Sequence, residues 1–256
     1  MYAVCNLSVI PVRKETSDKS EQVTQLLFGE SVEIIDKKDN WRKVRVVFDD
    51  YTGWVDKKQL AEVSEDFVKK LASSPTFLTS DLLQLAIWNQ NQICPLVIGS
   101  TLPLYDDKKF FVGDSEYSFE GNVIDASKRH KEHIQEQSYM YLNSPYQWGG
   151  RSPFGIDCSG FTQMVFKLCG IKLKRDSDQQ AEQGQTVNLV EESDTGDLAF
   201  FENKDGRIVH VGIILPGRHI MHASGRVRID KLDHQGIYNE ELKSYSHKLR
   251  LIKRIV

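Results

Sequence analysis

The chain has 256 residues, 40% apolar and 27% charged, an ordinary globular composition with length for roughly two domains. Its 33 basic and 36 acidic side chains leave a formal net charge of -3, so no broad basic field marks a nucleic-acid partner. No stretch approaches the ~20 apolar residues of a spanning helix, so no membrane span is expected.

The opening "MYAVCNLSVIPVR" has no basic segment followed by the roughly 7–15 apolar residues of a signal peptide. The chain as given is expected to be cytoplasmic, and periplasmic or secreted if a leader was removed. Short strands come next. "SVEIID" alternates around Val32 and Ile34, and "WRKVRVVF" around Trp41, Val44 and Val46. "TGWVDKKQL" closes the pattern after Asp49-Asp50. Such β-branched and aromatic runs with polar breaks predict a small antiparallel barrel over residues 1–63. The run from "LLFGESVEII" to "YTGWVDKKQL", with Gly53-Trp54-Val55, resembles the bacterial SH3-like domain. In residues 64–125, "EDFVKKLA" and "SDLLQLAIWNQNQI" read as helices, the second capped by Ser80. "CPLVIGSTLPLYD" and "FFVGDSEYSFEG" return to strands, as a helical linker followed by a second, reduced SH3-like unit.

Residues 126–256 change character again. "SKRHKEHIQEQSYMYLN" predicts an amphipathic helix ended by Ser144-Pro145. A second helix starts near Cys158, with Phe161, Met164, Val165, Leu168 and Cys169 in helical rhythm and Gly170 as a left-handed stop. Five strands follow: "DLAFF", "HVGIILP", "HIMHAS", "RVRIDKL" and "LRLIKRIV". One helical block and then a run of antiparallel strands is an α+β pattern.

Cys5, Cys94, Cys158 and Cys169 form no CxxC pair and no compact disulfide framework, so reduced thiols are expected. Cys158 in "GIDCSGF" stands at a helix start, where exposed N–H groups favour a thiolate. Asp157 is a candidate cap for that helix. A lone cysteine is otherwise read as a buried structural thiol. Two histidines shift the balance, because a cysteine nucleophile needs a base and the base an orienter. If Pro216-Gly217-Arg218 is a three-residue hairpin loop, His222 faces Gly212, with His210 one diagonal step away on the same face. A two-residue loop would put the two rings on opposite faces. The register predicts Cys158 as nucleophile, His210 as base and His222 as orienter, with His219 on the other face. No HExxH or CxxC spacing calls for a metal. His130 and His133 read as solvated, and His234 and His247 as surface residues without partners.

"SPYQWGGRSPFGIDCSGFTQMVF", "RDSDQQ", "GDLAFF", "HVGIIL" and "MHAS", in this order, resemble the NlpC-type cell-wall cysteine peptidases. The resemblance implies a papain-like fold, with the nucleophile on a helix packed against an antiparallel sheet. It also implies cleavage of peptidoglycan peptides between D-glutamate and a diamino acid, without metal or organic cofactor. With the preceding SH3-like domain, the layout is similar to the γ-D-glutamyl-L-diamino acid endopeptidases. These favour stem peptides with a free N-terminal L-alanine. Carried over residue by residue, the motifs imply Tyr146 and Trp148 beside the nucleophile, Asp157 and Ser159 as pocket walls, and Asp176 and Ser177 facing L-Ala-D-Glu. From the first domain come Glu30 and Tyr51. Each has a plainer reading: packing aromatics for Tyr146 and Trp148, a helix cap for Asp176, a surface charge for Glu30, a barrel residue for Tyr51. The expected partner is a stem peptide and the expected state a monomer. The rival functions are an acyltransferase or amidase on another substrate and a non-catalytic wall-peptide binder.

Overall fold

Seven short strands come first: β1 (Tyr2–Cys5), β2 (Val9–Arg13), β3 (Gln22–Leu27), β4 (Ser31–Lys38), β5 (Trp41–Val46), β6 (Thr52–Asp56) and β7 (Leu60–Val63). They form one antiparallel sheet in the order β3-β2-β6-β5-β4-β1-β7. Burial alternates along β4, with Val32 and Ile34 inside, and along β5, with Val44 and Val46 inside. These residues join Ile10, Leu26 and Val55 in one core. The structure, a computed structural model, describes residues 1–89 and 91–256.

Helix α1 (Glu65–Ser73) follows, with Ser64 Oγ accepting the Phe67 amide at 3.1 Å as its N-cap. Then come β8 (Phe77–Thr79), β9 (Leu83–Trp88), β10 (Gln92–Val97), β11 (Thr101–Leu102), β12 (Lys109–Val112), β13 (Ser115–Phe119) and β14 (Val123–Asp125). Phe28 packs edge-on to Phe110, with ring centroids 5.6 Å apart, and Phe110 stacks on Tyr117 at 4.9 Å. The helix expected over "SDLLQLAIWNQNQI" is instead the hairpin β9–β10, with Leu85 opposite Pro95 and Ile87 opposite Ile93. Leu83, Leu85 and Ile87 alternate as strand residues do, Ile87, Trp88 and Ile93 favour strands, and Asn89 takes a turn φ of 48°. Gln90, within that expected helix, lies outside the described residues. Ser80 caps no helix, and its amide bonds to the Asn122 carbonyl at 3.0 Å.

These elements make one compact unit, Met1–Arg129, together with Trp148–Pro153 and Gly170–Lys172. Strand β15 (Arg151–Ser152) lies in it. There the buried Arg151 meets the buried Glu30 with Nη1–Oε2 at 2.7 Å and Nη2–Oε1 at 2.9 Å.

The second unit holds His130–Gln147, Phe154–Cys169 and Leu173–Val256. It contains α2 (Ile134–Tyr139), β16 (Gly155–Ile156), α3 (Cys158–Leu168), α4 (Ser177–Gln180), β17 (Gln185–Val187), β18 (Leu198–Glu202), β19 (Ile208–Leu215), β20 (His219–Ser224), β21 (Arg226–Asp233), β22 (Gly236–Asn239) and β23 (Ser244–Arg254). The long helix expected over 127–143 is shorter: a 3-10 turn at Lys131–His133 and then α2. The sheet order is β17-β23-β18-β19-β20-β21-β22, and β22 pairs back to β23, so six strands close a ring. Ala199, Phe201, Ile214, Ile220, Leu232 and Ile252 share its core. Every residue of α3 is buried, and the helix packs against β19 and β20. Gly170, at φ 72°, provides the left-handed stop after it. The α+β class follows from these elements.

Candidate active site

Asp157 is the N-cap of α3, and its Oδ1 accepts the Gly160 amide at 2.6 Å. Cys158 is therefore the first helical residue. The strands β19 and β20 begin to pair only at Gly212↔His222, so they part beside Val211. The Val211 amide reaches the Cys158 sulfur in that opening. Burial, and then the charge of Asp157, push the thiol up to about 12 against the pull of the Val211 amide, Arg175 and the Ser159 amide. Desolvation of the buried sulfur thus works against the thiolate that the helix start favours.

Next to Cys158 in the chain, Asp157 is held by the buried Arg175 in a two-pronged ion pair, Nη1–Oδ1 at 3.0 Å and Nη2–Oδ2 at 2.6 Å. Arg175 Nη1 also donates to Ser159 Oγ at 2.9 Å. Asp157 and Ser159 are thus buried residues that anchor the start of the helix.

The Pro216–Arg218 loop has three residues, with Leu215↔His219 and Gly212↔His222 in register. His210 Nε2 lies 2.8 Å from His222 Nδ1, and His222 Nε2 lies 3.0 Å from Asp230 Oδ2. Gly212 gives the rings room: a Cβ built there would stand 2.9 Å from His222 Cβ. Arg228 holds the carboxylate from behind, with Nε–Oδ2 at 2.7 Å and Nη2–Oδ1 at 3.0 Å. Burial works against the Asp230 charge, but the hydrogen bonds from His222 and Arg228 outweigh it and keep its pKa below the ordinary value.

An ionised carboxylate only accepts, so this chain fixes the tautomers. His222 must carry its proton on Nε2, so its Nδ1 accepts. His210 must then donate from Nε2, which leaves the lone pair of a basic nitrogen on Nδ1. That is the ring nitrogen left to take a proton from a thiol.

His247 is no isolated surface residue. Its ring stacks on His210, with centroids 4.1 Å apart and planes 21° from parallel. Burial, then His222, lower its pKa to about 4, with Asp230 opposing. Burial, then His222 and His247, hold His210 well below its ordinary value. The unfolded chain binds these protons near pH 6.5 and the folded chain only at lower pH. Stability is therefore expected to be full above about pH 6.5 and to fall as the pH drops from there toward 4. Thermal unfolding between pH 7.5 and 4.5 reads this, and His247→Phe should flatten the slope.

Tyr146 is half-exposed, and burial, then Cys158 and Asp157, push its hydroxyl up to about 12, so it stays an O–H donor near the sulfur. Trp148 belongs to the first unit, exposed, with Nε1 donating to Glu21 Oε1 at 2.9 Å. Asp176 caps α4 in a capping box with Gln179, and Ser177 opens that helix. Glu30, which the resemblance makes a substrate-facing acid and its plainer reading a surface charge, is 4% exposed and ion-paired with Arg151. Tyr51 packs against the core of the first sheet, and its amide bonds to Asp49 Oδ1 at 3.0 Å. His219 bonds to the Pro216 carbonyl at 3.2 Å, and His234 is a surface ring 3.1 Å from Glu191.

Residues 143–245 match the profile of the NlpC/P60 family, and residues 12–60 that of the bacterial dipeptidyl-peptidase Sh3 domain. The chain is 30% identical over 216 residues to a gamma-D-glutamyl-L-lysine dipeptidyl-peptidase of Bacillus subtilis, covering 78% of this chain and 71% of that one. The chain belongs to the NlpC/P60 family.

A second relative, a gamma-D-glutamyl-L-lysine dipeptidyl-peptidase of Bacillus cereus, is 30% identical over 224 residues. That match covers 78% of this chain and 66% of the relative, just under two thirds of its length. A crystal structure of an NlpC/P60 family protein from Bacillus cereus shares the fold, with TM-score 0.83 at 22% identity over 100% of this chain and 99% of that one.

Arg175, Asp230 and Arg228 carry no role in the sequence analysis, and His247 is placed there as a surface residue without partners. Asp230 had a signal. In "RVRIDKL", Arg228 and Asp230 occupy the strand face of Leu232, a core residue, so a polar pair stands where the alternation calls for apolar side chains. Arg175 sits beside "DS" as one more basic residue of a charged segment, with nothing in its spacing to mark burial.

Proposed function

We propose that this chain is a cysteine peptidase of papain-like arrangement that hydrolyses the γ-D-glutamyl–diamino acid bond of peptidoglycan stem peptides with a free N-terminal L-alanine. The observation that carries the chemistry is the line from Asp230 through His222 to His210, with Cys158 at the neighbouring Val211 amide. The names of the two Bacillus relatives supply the substrate class.

In this reading His210 Nδ1 takes the thiol proton as Cys158 Sγ attacks the γ-carbonyl carbon. Burial raises the thiol's pKa and lowers that of the imidazole, so the proton moves as part of the attack, as general-base catalysis. The Cys158 amide and the Tyr146 hydroxyl donate to the oxyanion. The imidazolium then protonates the leaving amine as the C–N bond breaks, leaving a thioester. Water, deprotonated by His210, cleaves it and restores the thiol. His222 holds the imidazole, and Asp230 with Arg228 holds His222. Asp176 and Ser177 are the substrate-binding candidates of the second unit; Trp148 and Tyr51 lie in the first unit, where Glu30 is half of a neutralised pair.

The test is incubation with L-Ala-γ-D-Glu-L-Lys and its N-acetylated form, with products read by mass spectrometry. Release of L-Ala-D-Glu from the free-amine peptide alone is expected. Equal cleavage of both removes the amine preference. No cleavage of either removes the substrate assignment. Asp230→Asn probes the relay: an amide in that position faces Arg228 and His222 with a donor of its own, which disturbs the tautomer. A fall in kcat of about 100-fold is expected, smaller than the loss seen when a triad carboxylate acts directly on the base, with KM little changed.

A further inference from the structure

We propose that His210, His222 and His247 form a binding site for a Zn²⁺-like transition-metal cation, and that its occupation switches the enzyme off. The switching half rests on the reading above; the binding half does not. One ligand atom from each ring lies within 4.8 Å of the others. His210 Nε2 and His222 Nδ1 already face each other at 2.8 Å, and tetrahedral Zn²⁺ would separate two such nitrogens by about 3.3 Å. The His222 ring stands edge-on to His247, at 80° and 5.6 Å.

Two of the three rings carry the outer partners that metal-bound histidines use. His222 gives its far nitrogen to Asp230 at 3.0 Å, so the lone pair of its Nδ1 faces inward, toward His210. His247 Nδ1 lies 2.8 Å from Ser246 Oγ, which leaves Nε2 as its donor. Phe201 walls the cluster, 5.8 Å from the His210 ring and 6.0 Å from His247. Three imidazoles select a borderline cation such as Zn²⁺, Co²⁺ or Cu²⁺ over Mg²⁺ or Ca²⁺, which want oxygen. The stacked His247 ring has to turn to join. It sits beside an irregularity in the β22–β23 pairing, between Ile237↔His247 and Tyr238↔Tyr245, where Ser246 is the extra residue.

The protons balance without release. When the cation takes His210 Nε2, the proton there moves to Nδ1 of the same ring. Nδ1–H cannot accept the thiol proton, so metal occupancy and general-base catalysis exclude each other.

Co²⁺ titration of the full chain tests the site by its visible d–d absorption, whatever the enzyme's substrate. The bands are expected in the wild type and in Cys158→Ala, and in the double variant His130→Ala/His133→Ala, which removes an exposed His-Glu-His cluster. They should vanish in His247→Phe and in His247→Gln, each checked for folding by circular dichroism. Bands that survive both His247 variants, disappear with the surface pair, or depend on Cys158 overturn the proposal. With the stem peptide, Zn²⁺ should inhibit reversibly, with activity restored by EDTA. Each His247 variant should raise the half-inhibiting Zn²⁺ concentration at least tenfold; an unchanged value overturns the switch. If the metal-free protein cleaves no peptide, the function fails while the Co²⁺ spectrum still decides the site.

Discussion

Cys158→Ala is expected to lower hydrolysis of L-Ala-γ-D-Glu-L-Lys by about 10⁴-fold or more, with the fold intact. The sulfur is the only proposed atom that forms a bond to the substrate, so nothing else in the site replaces it. The fold should survive because alanine keeps the first position of α3, while the Asp157 cap, the Arg175 pair and the buried helix do not involve the sulfur. Mass spectrometry after long incubation reads the residual rate, and a thermal melt reads the fold. Cleavage that persists in the variant sinks the mechanism. His210→Ala should come close to the same loss. The two deletions should not add, since nucleophile and base act in one step.

Arg175→Ala is expected to destabilise the second unit by about 3–5 kcal/mol, because it strands a buried carboxylate rather than removing a surface pair. Asp157 would keep its bond to the Gly160 amide but lose both guanidinium contacts, and Ser159 Oγ would lose its donor. A shift of several degrees or more in melting temperature follows for a chain of this length. Arg175→Lys should recover only part of it, since a single ammonium cannot reproduce the paired contact. A melt within 1 °C (about the precision of the method) for Arg175→Ala would show that the pair contributes nothing net.

The strands that carry His210 and His222 were legible because their signals are local. The three-residue loop at Pro216–Arg218 fixes which residues of "HVGIIL" and "HIMHAS" share a face, and period-2 geometry does the rest. Helix α3 was legible in position but not in depth. Its apolar stripe marked one face, whereas the whole helix is buried, with Gln163, Thr162 and Lys167 inside. Thr162 and Gln163 find partners that lie far along the chain or in loops: Thr162 bonds Gln180 at 2.7 Å and Gln163 bonds the Leu173 carbonyl at 3.1 Å. The hairpin β9–β10 was misread because Leu82, Leu83, Leu85 and Ala86 satisfy a helical rhythm as well as a strand alternation, and a run of leucines does not decide between them. His247 was illegible for another reason. Its place depends on β22 closing the ring onto β23 with a register shift, and neither the closure nor the shift has a sequence signal. Glu30 looked open because its partner, Arg151, lies 121 residues away.

That last distance bears on the order in which the chain is made. The ribosome releases Glu30 long before Arg151, and the first unit also draws on Gly170–Lys172. During synthesis the early strands must therefore wait with an unmatched carboxylate, hydrated at the surface of a half-finished fold. The same logic governs gene dissection. A fragment cut at the apparent border near residue 129 would lose Arg151, the cation that pairs with the buried Glu30, while one that runs on past residue 172 carries every segment of the first unit.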